Sequence, residues 1–284
     1  MIDQNSATAL QFERVIKPRS GWVNINLREL WQFRELFWFL AWRDILVRYK
    51  QTYLGVLWAI LQPVLTMVVF AFLSKVAKFD LKGAHPAVVI FAGILPWQLF
   101  ANALTESSNS LVSSARIISK VYFPRLIIPA SSVLSGTLDF LIGLGILAVL
   151  MITLGVPLRV HMLMLPLFSG LAFLTAFAAG VWLSALNVKY RDVRYIVPFF
   201  TRIGLYVSPI WFISQDIVPQ NWLFTYSALN PMAGVIEGFR WCILGPGFEP
   251  YWPGFWASVS AVFVILVTGL IYFRRTEKTF ADVI

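Results

Sequence analysis

Hydrophobic positions in this chain come in long blocks. Six apolar runs, at about residues 54–74, 87–108, 126–153, 162–186, 196–213 and 252–273, are separated by short polar stretches. A helix that crosses a bilayer needs about 20 mainly apolar residues. The pattern therefore predicts an all-α integral membrane fold with six transmembrane helices per chain. The junction that sets everything else is WRDILVRYKQTYLGVLWAILQPV, residues 42–64, where Arg43, Asp44, Arg48 and Lys50 give way near Tyr53 to unbroken apolar sequence. Ahead of it, residues 27–50 read as an amphipathic helix lying in the interface. Trp31, Trp38 and Trp42 alternate there with Arg28/Glu29, Arg34/Glu35 and Arg43/Asp44, a mixture suited to the headgroup layer. That helix reads equally as a plain anchor or as a platform for a cytoplasmic partner. Residues 1–26 are polar, lack the apolar core of a signal peptide, and read as a cytoplasmic arm.

Prolines and small residues refine the pattern. Gln62-Pro63 falls in the middle of the first run, Gly93 and Pro96 are expected to break the first turns of the second, and Pro198 and Pro209 lie in the fifth. The fourth run carries Gly170, Ala172, Ala176, Ala178, Ala179 and Gly180, which predicts close helix approach and burial. Residues 109–124 read as a short amphipathic helix stopped by Pro124. Residues 218–246 hold two apolar pieces broken at Asn230-Pro231, each too short to cross, which predicts a re-entrant helical hairpin before the last span.

Composition agrees with membrane residence: 58% of residues are hydrophobic, 13% are charged, and the mean hydropathy is +0.73. A soluble domain carries about 25% charged residues. The net charge of +9 would suggest nucleic acid on a soluble protein, but here it is explained by topology. Seventeen Lys and Arg fall on residues 1–53, the two proposed inner loops and the tail. Five (Lys75, Lys78, Lys82, Arg159 and Arg240) fall outside. The count predicts a multi-pass protein of the cytoplasmic membrane with both termini cytoplasmic, despite the basic first outer loop.

Candidate chemistry is sparse. Cys242 is the sole cysteine and His85 and His161 are isolated, so no zinc site is expected. There is no GxxxxGK[ST] phosphate loop and no acidic cluster, so neither an ATPase nor a metal-assisted transferase is expected on this chain. Two ionisable residues fall within apolar runs, Asp139 and Arg202. Such groups point to function by default. The structural alternatives are an Asp139–Arg202 pair, or Asp139 held by Ser135 and Thr137.

Five stretches then combine in order: WRDILVRYKQTYLGVLWAILQPV, ARIISKVYFPRLIIPA, LSALNVKYRDVRYIVP, LNPMAGVIEGFRWCILG and EKTFADVI. Together they resemble the membrane subunits of ABC-2-type transporters, most of all permeases that export lipid-linked O-antigen or related surface glycans, with teichoic-acid permeases as cousins. The resemblance implies a transmembrane domain over residues 51–284, working as a homodimer with two copies of a separate ABC ATPase. ATP and Mg would be bound by that partner, with no cofactor on this chain. It implies a coupling helix at about 109–124, with Arg116, Lys120, Tyr122, Pro124 and Arg125 at the ATPase. The turn holding Lys189, Arg191, Asp192 and Arg194 would be a second cytoplasmic contact. Pro209, Trp211, Asn230, Pro231 and Gly234 would form an outer gate. The substrate implied is a lipid-linked polysaccharide; the alternatives are teichoic acid, a lipid or a drug, or, in another class, an ion-coupled secondary transporter or flippase.

Overall fold

The computed structural model describes residues 27–50 and 55–280, whose regular elements are all helices, with no strand among them. The proposed N-terminal arm, the charge-to-apolar switch near Tyr53 and the end of the EKTFADVI stretch lie outside the described residues. The interfacial region forms α1 (Leu27–Gln32) and α2 (Arg34–Lys50), separated by a single turn residue, Phe33. Among the described residues, five helices are long and apolar enough to cross a membrane. They are α3 (Gly55–Val76), α4 (Pro86–Ser113), a broken third, α8 (Leu165–Lys189) and α13 (Trp252–Thr276). The third consists of α6 (Ile127–Ser132), a 3-10 segment Val133–Gly136, and α7 (Thr137–Thr153).

The proline pattern explains many of the boundaries. Pro86, Pro166, Pro231 and Pro253 each sit in the first turn of a helix, where the missing N–H has no partner to lose. Gly93 and Pro96, expected to break the second span, instead lie inside an unbroken 28-residue α4. Both are buried, because this helix runs through the centre of the bundle where neighbours enforce its path. The most enclosed span is thus α4, with 72% of its apolar stretch buried, against 28% for the small-residue span α8. Only one face of α8 turns inward. A Cβ added to Gly180 would lie 2.4 Å from Ser107 Oγ of α4, so the glycine permits that approach.

The fifth apolar run departs from the expectation. Its helix, α9 (Val193–Val207), has 15 residues, about 23 Å at 1.5 Å per residue, short of a full crossing. Ser208 is extended (φ −78°, ψ 152°), as a residue before proline prefers, and the chain continues without helix to Ile213. The apolar residues Ile210, Phe212 and Ile213 are buried nonetheless. A one-turn helix α10 (Ser214–Ile217) then leads to α11 (Gln220–Leu229) and α12 (Pro231–Leu244).

Two hydrophobic cores lie at opposite ends of the bundle. One joins Leu40 of α2, Leu111, Ile118, Phe123, Ile127, Val181, Phe273 and Phe280. The other joins Phe70, Phe91, Leu95, Phe168, Ile210, Ile236, Phe239 and Phe255. Helices α4, α8 and α13 contribute to both. We refer to the α2 end and the α12 end.

Candidate functional site

At the α2 end, α4 continues to Ser113, so residues 109–113 belong to a spanning helix and not to a separate element. Only Ala115–Ile118, α5, remains of the expected 109–124 helix, followed by an irregular turn. The physical reason is that Ser114, which is not helical (φ −99°, ψ 14°), breaks the run where the apolar pattern does not. Arg116, Lys120 and Tyr122 are exposed on this tip, and Val121 is exposed beside them. Pro124 is buried, and Arg125 turns inward. Its guanidinium donates to the carbonyl of Glu277 and lies 5.9 Å over the Phe280 ring. The turn between α8 and α9 keeps Lys189, Arg191, Asp192 and Arg194 exposed. Lys189 and Arg194 rest over Tyr190 and Tyr195, at 5.2 and 5.9 Å.

The interfacial helix is fastened by polar contacts. Trp31, Trp38 and Trp42 face outward, while Leu40 and Ala41 are buried. Arg43 pairs with Asp44 at 2.8 Å, and the second Asp44 oxygen accepts from Ser132 Oγ at 3.3 Å. Arg48 pairs with Asp139 at 3.0 Å, and the Tyr49 hydroxyl donates to the same carboxylate. Burial, reinforced by the hydrogen bond to Asp139, pushes the Tyr49 phenol above its ordinary pKa. The expected Asp139–Arg202 pair does not form: Arg202 is exposed, with no ion-pair partner among the described residues. Nor do Ser135 and Thr137 hold Asp139, since Thr137 donates to the Leu134 carbonyl and the buried Ser135 hydroxyl has no partner among the described residues. The reason lies in the break at Val133–Gly136, which places the first turn of α7 beside the end of α2.

At the α12 end, the apolar segment after α10 folds as two helices meeting at Asn230-Pro231. Asn230 sits at φ −115°, ψ 85°, and its side chain donates to Ser208 Oγ at 3.0 Å. The positive φ of Gly245 (+74°) ends α12. Pro209 and Gly234 are buried, while Trp211, Asn230 and Pro231 are half-buried. The Trp211 indole donates to the Tyr206 carbonyl and its ring packs on Phe70, 6.1 Å between centroids.

The groups that organise this end are Glu237 and Arg240. Both are buried, Arg240 almost completely (2% exposed). The last carbonyls of α9, those of Tyr206 and Val207, accept from the Trp211 indole and the Tyr226 hydroxyl, and Arg240 serves the non-helical stretch that follows. Its guanidinium donates to Pro209 O at 2.6 Å, Ile210 O at 2.9 Å and Phe212 O at 3.2 Å. Glu237 accepts from Ser214 Oγ and from the Tyr251 N–H. The pair thus ties α12 to the ends of α9 and α13. Sequence reasoning missed both: Arg240 was placed among outer-loop charges. The available signal was Glu and Arg three residues apart within the apolar stretch GVIEGFRWCIL, a spacing that puts them on one helix face. Glycines let this helix be surrounded: a Cβ on Gly238 would overlap the Phe168 ring, and one on Gly234 would meet Phe255 and Ser258 at 3.1–3.2 Å.

Taken together, these arrangements suit binding, transmission of motion and the sealing of a pathway. Among the described residues, no group of three or more His, Cys, Asp or Glu could hold a metal ion. The family model described as ABC-2 type transporter matches residues 35–244, which include α2, the α5 tip, the α8–α9 turn and the α11–α12 pair. The chain is 28% identical over 249 residues to an O-antigen export system permease protein RfbA of Klebsiella pneumoniae, covering 85% of this chain and 92% of that protein. It is 27% identical to the protein of the same name from Myxococcus xanthus, over 88% of this chain and 96% of that one. The polysialic acid transport protein KpsM of Escherichia coli is 22% identical, over 83% and 91%. This chain is a multi-pass membrane subunit, without an ATPase domain of its own, that works with an ABC ATPase: it belongs to the ABC-2 type transporter family.

Proposed function

We propose that this chain is the permease of an exporter that moves a lipid-linked surface polysaccharide across the cytoplasmic membrane. Two copies would form the pathway, and two copies of a separate ATPase would drive it with ATP and Mg. The supporting observation is that the chain aligns along most of its length with proteins named for the export of O-antigen and the transport of polysialic acid. The exposed basic tip Arg116–Tyr122 and the exposed turn Lys189–Arg194 share one end of the bundle, which suits docking of an ATPase there. That end would be cytoplasmic, with both termini, as the distribution of Lys and Arg favours. α9 together with residues 208–213 would make a sixth crossing, because most of the non-helical part is buried and three of its carbonyls accept from Arg240. The α11–α12 pair would be a re-entrant gate at the outer face.

The test is ATP hydrolysis by the chain in lipid, with the ABC ATPase encoded beside it. Lipid-linked O-antigen-type, capsule-type and teichoic-acid polymers would be added in separate arms. Hydrolysis that needs both chains and responds to one polymer supports the reading and names the cargo. Assembly with the ATPase but no response to any polymer removes polysaccharide as the substrate.

A further inference from the structure

The basic residues of the loop between α3 and α4 are not among those proposed for coupling or the gate, although its Phe79 packs on Trp211 at 5.2 Å, and the loop borders a groove of about 600 Å³ at the α12 end. Lys75 from the last turn of α3, Lys78 from the loop and His85 at the start of α4 line it, together with Phe72, Phe79 and Ser74. Lys75 and Lys78 are exposed and have no carboxylate partner among the described residues. Ser74 is buried (2% exposed). Lys82 behaves differently. Its ammonium donates to Gly247 O at 2.7 Å and lies over the Phe248 ring, so it fastens the loop to the segment before α13. Asp80, the one acid of the loop, accepts from the Lys82 N–H.

The backbone is specialised at the same place. Lys78 has φ +54° and Lys82 φ +53°, a left-handed conformation in which a residue with a long side chain is uncommon. The flank of α3 leading to the groove carries exposed Leu65, Val68, Val69, Phe72 and Val76, at the spacing of one helical stripe. Two ammonium groups without a carboxylate partner among the described residues and an imidazole thus stand where an apolar stripe ends.

We propose that this groove binds the phosphate headgroup of an anionic membrane lipid, with its acyl chains along the α3 stripe. The cations match the phosphate, the stripe matches the chains, and a soluble anion would use only the first. The proposal does not depend on which polymer the protein exports. In the orientation given above, it also accounts for basic residues on the side where topology disfavours them.

Native mass spectrometry of the full chain, titrated separately with phosphatidylglycerol, phosphatidylcholine and inorganic diphosphate, tests this. The first phosphatidylglycerol should bind about thirtyfold more tightly than phosphatidylcholine, the scale of two basic residues beside an anionic headgroup. K75Q/K78Q should abolish that preference, while K278Q, an exposed lysine at the α2 end, should keep it. Matching thermal melts of the variants confirm that the fold is intact. A preference that survives K75Q/K78Q overturns the proposal. So does lysine-dependent binding of diphosphate without any lipid preference.

Discussion

Arg48 and Asp139 meet at 3.0 Å, joining the end of the interfacial helix to the first turn of α7. Both side chains keep some exposure, 34% and 20%, so the pair is worth less than a fully buried one. Asp139→Asn should destabilise the protein by about 1–2 kcal/mol, because Tyr49 and Arg48 both lose their acceptor charge. A double-mutant cycle with Arg48→Gln, read by thermal unfolding in detergent, should show a coupling near 1 kcal/mol. Arg202→Gln should change stability by less than about 0.5 kcal/mol, since its side chain is exposed and unpaired among the described residues.

Replacing Arg240 should be far more costly. Arg240→Met leaves three carbonyls without their donor and removes one of the positive charges near Glu237. A loss of about 3–5 kcal/mol is expected, from three buried carbonyls each left without a charged donor. Low yield and a lowered melting temperature would register it. A variant as stable as the parent would show that the α12 end is held by apolar packing alone.

Gly234 and Gly238 separate by their neighbours. Gly238→Ala places a Cβ 1.9 Å from Phe168 Cε1 and should destabilise by about 1–3 kcal/mol through overpacking. Phe168→Leu added to it should recover part of that loss. Gly234→Ala needs shifts of only a few tenths of an ångström from Ser258 and Phe255, so it should assemble nearly as the parent does. Export by the Gly234 variant then reports on gating, free of the folding defect that Gly238 variants carry.

The basic residues at the α2 end should divide in the same way. Arg116→Glu and Lys120→Glu alter exposed side chains and should weaken association with the ATPase at least about tenfold, a few charge contacts' worth, without moving the melting temperature. Arg125→Glu loses its bond to Glu277 O and its place over Phe280, so it should lower the melting temperature as well. Co-purification and thermal unfolding, measured on the same samples, distinguish the two classes.

Hydropathy located the spans because lipid and protein interior both select apolar side chains. For the same reason it misjudged residues 208–213. Ile210, Phe212 and Ile213 are as apolar as a helix would be and equally buried, but Pro209 has already ended the helix. Asn230-Pro231 was legible because the break is local chemistry: a residue before proline avoids the helical region. The partners of Asp139 and Arg240 were not legible. They lie about 90 and 30 residues away in sequence, and only the packed helices bring them together. Period also failed at residues 109–113, where an amphipathic tip and the final turns of a spanning helix carry the same pattern.

The 3-10 segment Val133–Gly136 lies within the third span, between the part that α2 rests on and the part reaching the far core. A 3-10 helix advances about 2.0 Å and turns about 120° per residue, where an α-helix advances about 1.5 Å and turns about 100°. Rewinding these four residues as α-helix would draw α7 toward α6 by about 2 Å and unscrew it by about 80°. The third span is therefore geared: a small slide at one end corresponds to nearly a quarter-turn of every side chain on α7.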